Sequence, residues 1–383
     1  MHEIGQIPLL GAGGSVAFAS LNAAPALSRP TQPLRSRVAY AAAHVVPFPW
    51  AENVPGAPAE IDWDATLAFR RHLYSWGLGV AEAMDTAQRN MGLDWEATQE
   101  LIARSTQEAQ RVGGSIVAGV NTDHLSRIDI SLNEVIDAYL EQLDFTESVG
   151  AGVVLMASRH LARVATGATD YEFVYREVLK HARTPVILHW LGEAFDPALN
   201  GYFGGADAVL RIIREADDRV QGIKMSLLDP LAEIRLRDEL PPGVRMFTGD
   251  DYNYVDLIAG SGSRHSDALL GAFAAIAPNA SAALSALDRD DLAGYRSVLG
   301  PTEALSRHIF ATPTYYYKTG IAFLAWLGGH QESFTMVAGL HSARSLAHLS
   351  EIVRLANECR ALENPLLAAE RWTALLRLNG ITR

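Results

Sequence analysis

Cysteine is nearly absent from this chain of 383 residues, with Cys359 alone. No intrachain disulfide can form, and no cysteine-rich zinc site can be built. Cys359 falls in a helical-looking segment with no activating partner in view, so a buried, idle thiol is expected. Basic residues are also in deficit, with 32 Lys and Arg against 44 Asp and Glu and a formal net charge of −12. They are scattered singly, which argues against a broad phosphate-binding face and hence against a nucleic-acid partner. Long apolar runs are missing as well. No window reaches the roughly twenty continuous apolar residues of a membrane span. The alanine-rich stretch 14–27 has no Lys or Arg before it, the first being Arg29, and it is interrupted by Asn22 and Pro25. That pattern does not fit a secretory signal, and a cytoplasmic protein without a membrane partner is expected.

What is present is material for a core. Hydrophobic residues make up 49% of the chain and charged residues 20%, the balance of a folded globular protein. Residues 1–36, rich in Gly, Ala and Pro, read as an irregular arm. Beyond them short apolar runs alternate with amphipathic helices, the pattern of βα units on a parallel sheet. Strands are expected at 38–46, 79–84, 115–120, 153–156, 185–190, 220–225, 244–248 and 268–273. Helices are expected at 67–74 and 94–111, and after Ser131-Leu-Asn-Glu134, whose spacing is that of a capping box. Asp170 is a candidate cap for the helix carrying Tyr171, Val174, Tyr175 and Val178. Eight continuous βα units fit a closed (β/α)8 TIM barrel over 37–278 better than an open sheet. Residues 279–383, rich in Ala and Leu, read as a C-terminal helical region packed on that barrel.

In barrel enzymes the reactive groups stand at the C-terminal ends of the strands, inside an otherwise apolar wall. Lys224, within Val220-Gln-Gly-Ile-Lys-Met-Ser-Leu-Leu228, is the most telling residue there. An ammonium inside such a run costs solvation unless it is paired or loses its proton, and a lysine with lowered pKa is the nucleophile that carbonyl condensation needs. The plainer alternative is a lysine whose stem lies in the strand while its head reaches solvent.

Gly222-Ile-Lys-Met-Ser226 resembles the Schiff-base strand of the dihydrodipicolinate synthase and N-acetylneuraminate lyase superfamily. The resemblance continues in order through Val46-Pro-Phe48 with Ile61-Asp62, Ile116-Val-Ala-Gly119, Gly150-Ala-Gly-Val-Val-Leu155, Pro185-Val-Ile-Leu188 and Phe247-Thr-Gly-Asp-Asp251. It covers roughly 37–275 and marks the chain as a divergent branch. The resemblance implies a class I aldolase-type lyase or hydro-lyase with a small carbonyl substrate, no cofactor, and a homo-oligomeric assembly. It assigns Lys224 as nucleophile. The family's proton-shuttling tyrosine on the fifth strand falls at His189, which would act as general acid and base or else be a packed core histidine.

The departures carry information too. The family loop that holds a pyruvyl carboxylate reads Met84-Asp-Thr-Ala-Gln88 here, so Thr86 remains and Asp85 stands where a threonine is usual. Asp85 would repel a substrate carboxylate and suits a diol, which points to a polyhydroxylated ketone over simple pyruvate; its plain role would be to cap a loop. Asn121, His160 (in Ser158-Arg-His160, replacing the family's aromatic pair), Gly249 and Asp250 complete the expected substrate-binding set. A metal-dependent barrel isomerase using Asp123, His124 and His189, with Glu193 as a further candidate, is the rival reading; a non-catalytic sugar-binding barrel with a salt-bridged Lys224 is a third. Two other signals are weaker. Gly11-Ala-Gly-Gly14 has part of a dinucleotide loop but no third glycine. Tyr315-Tyr-Tyr317 with Lys318 suggests aromatic packing or a subunit contact, with Lys318 a distant second nucleophile.

Overall fold

The computed structural model describes residues 5–262 and 264–381. The chain opens on an antiparallel hairpin of β1 (Gln6–Leu10) and β2 (Val16–Ser20), where an irregular arm was expected. Gly11-Ala-Gly-Gly14 is its turn, and Gly13 and Gly14 take φ of 69° and 82°, a region glycine enters without a Cβ penalty. Its glycines therefore serve a hairpin, and the hairpin holds its shape by docking on distant chain. Leu10 donates its N–H to Ser350 Oγ at 2.7 Å, and the Trp372 indole donates to the Pro8 carbonyl at 2.8 Å.

Eight parallel strands then close into a barrel: β3 (Ala39–Ala42), β4 (Gly79–Glu82), β5 (Ile116–Val120), β6 (Gly152–Leu155), β7 (Val186–Leu191), β8 (Val220–Ser226), β9 (Arg245–Thr248) and β10 (Asp267–Leu270), with β10 pairing β3. Every expected strand is present. Inward residues such as Ala42, Ala81, Val117, Val154, Ile187, Phe247 and Leu269 fill the interior, while the opposite faces pack against surrounding helices, so both faces are apolar and the strands read as near-continuous hydrophobic runs. Most ends shift by one or two residues, and two shift further. The first strand stops at Ala42, and Val46 instead accepts from the Asp62 N–H at 2.8 Å beneath the next helix. The last stops at Leu270, with Ala272–Ala275 already helical.

Helix Leu132–Ser148 carries the expected capping box, with Ser131 Oγ and the Glu134 carboxylate serving each other's backbone N–H groups. Asp170 is not a cap residue: helix Ala168–His181 begins after Gly167, and the Asp170 carboxylate reaches back to the Thr166 N–H and hydroxyl, each at 2.7 Å. The barrel's first helix, Trp63–Ser75, is capped by Asp62. Its Arg70 grips Glu82 at the end of β4 through two bonds of 2.8 Å, both side chains fully buried. After β10 the chain is helical to Leu378, and helix Lys318–Gly328 is buried along nearly its whole length. No helix among the described residues is long and apolar enough to cross a membrane.

Helix Pro230–Glu239 contributes a buried acid, Glu233, which accepts from the hydroxyls of Thr248 at 3.0 Å and Ser266 at 2.7 Å. Burial pushes its pKa up to about 7 from an ordinary 4.5, the two hydroxyls opposing. Between those values the folded protein holds more protons than the unfolded chain, so this group's contribution to stability is present at low pH and lost as pH rises through 7. The loss is on the order of 3 kcal/mol. Glu233→Gln should therefore be more stable than the parent at pH 8 and near-equal at pH 5, as read by denaturant unfolding at the two pH values; equal differences at both would contradict the assignment.

Candidate active site

Lys224 lies near the C-terminal end of β8, the sixth barrel strand, and points inward with His189 directly beside it in register on β7 and Phe247 on β9. It is 6% exposed. Among the described residues it makes no hydrogen bond or ion pair, and Asp85 and Asp251 act on it only through space. Burial lowers its pKa, and the two carboxylates oppose that without cancelling it. Asp251 shows the mirror effect. Burial raises its carboxyl to about 8, against the Ala272 N–H that it accepts at 2.9 Å and the Lys224 charge. A low-dielectric wall thus disfavours both charges, and the lysine is held towards its neutral, nucleophilic form. A salt-bridged structural lysine is not what stands here.

At the C-terminal ends of β4 to β7 opens a cavity of about 800 Å³, lined among others by Asp85, Asn121, Thr122, His160, Phe195 and Lys318; Lys224 is not among its lining residues. Asp85 links the two, since it lines the cavity and its charge acts on both Lys224 and Lys318. Three expected residues, Asp85, Asn121 and His160, therefore border one space. His160 is fixed by the Thr122 hydroxyl at 2.9 Å from its Nδ1, and that hydroxyl also meets Ser158 Oγ at 2.7 Å. Burial lowers the His160 pKa, which keeps the ring neutral.

The remaining expected residues take other positions. His189 is fully buried, with Nε2 3.2 Å from Ser226 Oγ and Nδ1 without a partner; burial and then the Lys224 charge push its pKa well below the ordinary value. Asp250 turns back on its own loop, accepting from the N–H groups of Tyr252 and Asn253 and from Asn253 Nδ2 at 2.9–3.1 Å. Its acceptors are engaged in the turn, and it is not among the residues lining the cavity. Gly249 contacts Lys224 itself. A Cβ there would stand 2.7 Å from Lys224 Cε and 2.1 Å from Ser226 Oγ, so the glycine makes room for the lysine.

Thr86 meets a group from the far end of the chain. Its hydroxyl is 2.5 Å from that of Tyr317. Tyr317 is buried, stacked on Phe310 at 4.2 Å, and its pKa is well raised by burial and by the Asp85 charge. The next residue, Lys318, donates to the Tyr315 carbonyl at 2.9 Å and to Met91 Sδ at 3.0 Å, and burial brings its pKa down to about 8. The aromatic run packs as expected, but Tyr315 and Lys318 also line the cavity, with Tyr317 buried against Thr86. Nothing local in Tyr315-Tyr-Tyr317-Lys318 signals that; the signal is two ionisable residues ahead of an otherwise apolar helix.

The rival metal set does not assemble. Asp123 is held by Arg89 through bonds of 2.8 and 2.7 Å; burial works to raise its pKa, and the guanidinium outweighs that and lowers it. His124 Nδ1 meets Gln142 at 2.9 Å, while His189 stays inside the barrel on Ser226. Among the described residues, the three do not bring ligand atoms within 4.8 Å of one another.

This barrel has the fold of the dihydrodipicolinate synthases. It superposes with a TM-score of 0.65 on dihydrodipicolinate synthase from Aquifex aeolicus, at 12% identity, covering 84% of this chain and 97% of the other. The enzyme of that name from Thermotoga maritima gives 0.65, 12%, 85% and 100%. YagE, a prophage protein of the dihydrodipicolinic acid synthase family from E. coli K12 in complex with pyruvate, gives 0.62, 15%, 89% and 99%. At these identities the likeness is one of fold. The chain itself belongs to the family described as "Protein of unknown function (DUF993)", which matches residues 7–381. No curated protein matches it.

Gly249→Ala should push the Lys224 side chain aside. A displacement near 1 Å costs a reacting group roughly a hundredfold in rate. Adduct formation at Lys224 in the variant should slow by about that factor while the thermal midpoint moves little, as followed by mass spectrometry and a melting curve. Unchanged adduct formation would show that the methyl is absorbed elsewhere.

Proposed function

We propose that this protein is a Schiff-base-forming, class I aldolase-type lyase or hydro-lyase acting on a keto acid or a polyhydroxylated ketone. The observation that carries the reading is Lys224: a buried amine of lowered pKa near the C-terminal end of a barrel strand, unpartnered among the described residues and coupled through Asp85 to a cavity at the same end of the barrel. In this reading the neutral amine adds to the substrate carbonyl carbon, and loss of water leaves an iminium. For C–C cleavage a base takes the proton of the departing alcohol and the iminium receives the pair of the breaking bond as an enamine, which is protonated at carbon and hydrolysed to free the lysine. For C–O cleavage a base takes an α-proton to form the enamine, which expels the β-hydroxyl, protonated to water, with the C–O pair, and the remaining iminium is hydrolysed. Those steps need proton carriers close to the reacting atoms. His189 can exchange protons through Ser226, and Tyr317 through Thr86. The Tyr317 hydroxyl stands beside the cavity-lining Asp85, whereas His189 lies within the wall, so we assign the larger share to Tyr317. Asn121 and His160 would bind substrate hydroxyls across the cavity.

Borohydride added with candidate ketones should leave one reduced adduct, mapped to Lys224 by peptide mass spectrometry. Lys224→Arg keeps the charge but removes the nucleophile and should abolish the adduct. Tyr317→Phe should still trap substrate but turn over about a hundredfold or more slowly. An adduct on Lys318, persisting in Lys224→Arg, would move the nucleophile to the cavity wall and overturn the assignment.

The substrate class follows from Asp85. Two like charges a few ångströms apart at an effective dielectric near 20 repel by on the order of a few kcal/mol, and Lys318 offsets part of this. A carboxylate also accepts hydrogen bonds from two hydroxyls of a diol. The unmodified protein should bind neutral keto-sugars measurably and pyruvate weakly in calorimetric titrations, and Asp85→Thr should shift preference towards pyruvate. Tight pyruvate binding that the substitution leaves unchanged would place Asp85 outside the recognition site.

A further inference from the structure

Far from the cavity, three side chains from separate parts of the chain converge on one point. His72 lies in the last turn of the barrel's first helix, Trp63–Ser75; His330 follows helix Lys318–Gly328; Glu363 precedes helix Pro365–Leu378. His330 Nε2 is 2.9 Å from Glu363 Oε1, and His72 Nε2 is 3.3 Å from the same oxygen. The two imidazoles stand with centroids 4.0 Å apart, and one ligand atom from each of the three residues falls within 4.8 Å of the others. We propose that His72, His330 and Glu363 form a divalent-cation site, matched to zinc, which clips the C-terminal helices to the barrel. It is independent of the chemistry at Lys224.

The donor set and its dimensions both fit. Two imidazole nitrogens and a carboxylate oxygen are borderline ligands suited to Zn2+, and metal–ligand bonds of about 2.0–2.1 Å put tetrahedral ligand atoms about 3.3 Å apart. The two measured separations lie at and just below that spacing, so an ion can enter with shifts of a few tenths of an ångström. The side chains are 11%, 19% and 29% exposed, which leaves a route in and a fourth vertex for water. The scaffold is held on both sides. Gly329, at φ 87°, turns the chain out of its helix, and Gln331 is fixed by His44 Nε2 at 2.7 Å and, through its carbonyl, by Arg371 at 2.8 Å. Phe69 packs on both histidines. Two Nε2 atoms aimed at one oxygen could instead be N–H donors sharing an acceptor, and the ion itself separates these cases.

The full-length protein, stripped with EDTA and dialysed metal-free, should take up one Zn2+ per chain in calorimetric titration. Co2+ should give the strong visible bands of four-coordinate geometry. Zinc at a hundredfold excess over its Kd should raise the melting midpoint by about 3 °C. His72→Gln and His330→Gln should each weaken zinc binding by a hundredfold or more, while reduced-adduct formation at Lys224 stays unchanged at 25 °C. Should either variant fold poorly, the unmodified protein decides: no stoichiometric heat and no Co2+ bands would overturn the proposal. Zinc binding undiminished in both variants would place the ion elsewhere and overturn it equally.

Discussion

An ammonium cannot be enclosed in an apolar barrel wall unless a counter-charge meets it or its proton leaves, and the arrangement around Lys224 follows from that constraint. A carboxylate in direct contact would restore an ordinary ion pair and keep the amine protonated. Asp85 and Asp251 instead act across space, close enough to moderate the loss of the proton but without bonding to the amine. Asp251 is itself raised to about 8 by the same burial, so the pair carries little charge into the interior. Gly249 leaves space for the amine's stem where any side chain would collide with it. The residues about the lysine are thus explained by one electrostatic cost and one steric requirement.

The barrel alone does not make the site. The loop after β4, which bears Asp85 and Thr86, is held from above by the C-terminal region: Tyr317 meets Thr86, Lys318 meets Met91, and Gln88 Nε2 donates to the Val337 carbonyl at 2.7 Å. From the side, Arg89 bonds the carbonyl of Ala83 and the carboxylate of Asp123, joining the loops after β4 and β5. The helices that follow the barrel therefore act as part of the cavity wall and supply its only lysine at the rim among the described lining residues.

How much of this could be read from the sequence depends on how local each signal is. The eight strands were legible because buried parallel strands are continuous apolar runs, and the capping box because Ser131 and Glu134 are three residues apart. Lys224 was legible as a charge that breaks such a run. The β1–β2 hairpin was not, since its two five-residue strands depend on Ser350 and Trp372, more than 300 residues away. Asp250 and Asp123 look alike in sequence as acids at strand ends. What separates them from Asp85 is whether a neighbour already uses their oxygens, and Arg89 and Asn253 do. Tyr317 and Lys318 stood out in sequence only as aromatic packing and a distant second nucleophile; their meeting with Thr86 and with the cavity was hidden for the same long-range reason.

The loop after β4 shows what that dependence costs. Ala83, Gln88 and Asn90 all take positive φ, at 49°, 63° and 62°, conformations that non-glycine residues adopt at a penalty of order 1–2 kcal/mol each. Just before it, Glu82 gives one carboxylate oxygen to the Ala83 N–H at 2.9 Å while Arg70 holds the group from below. A strained backbone persists only where its surroundings over-determine it, and here the buried Arg70–Glu82 pair fixes one end while Gln88 and Val337 fix the other. With the loop so held, Asp85 keeps its place at the cavity and acts on Lys224 only through space. The strain is therefore the counterpart of the unpaired lysine: it holds a carboxylate near enough to tune Lys224 and too far to neutralise it.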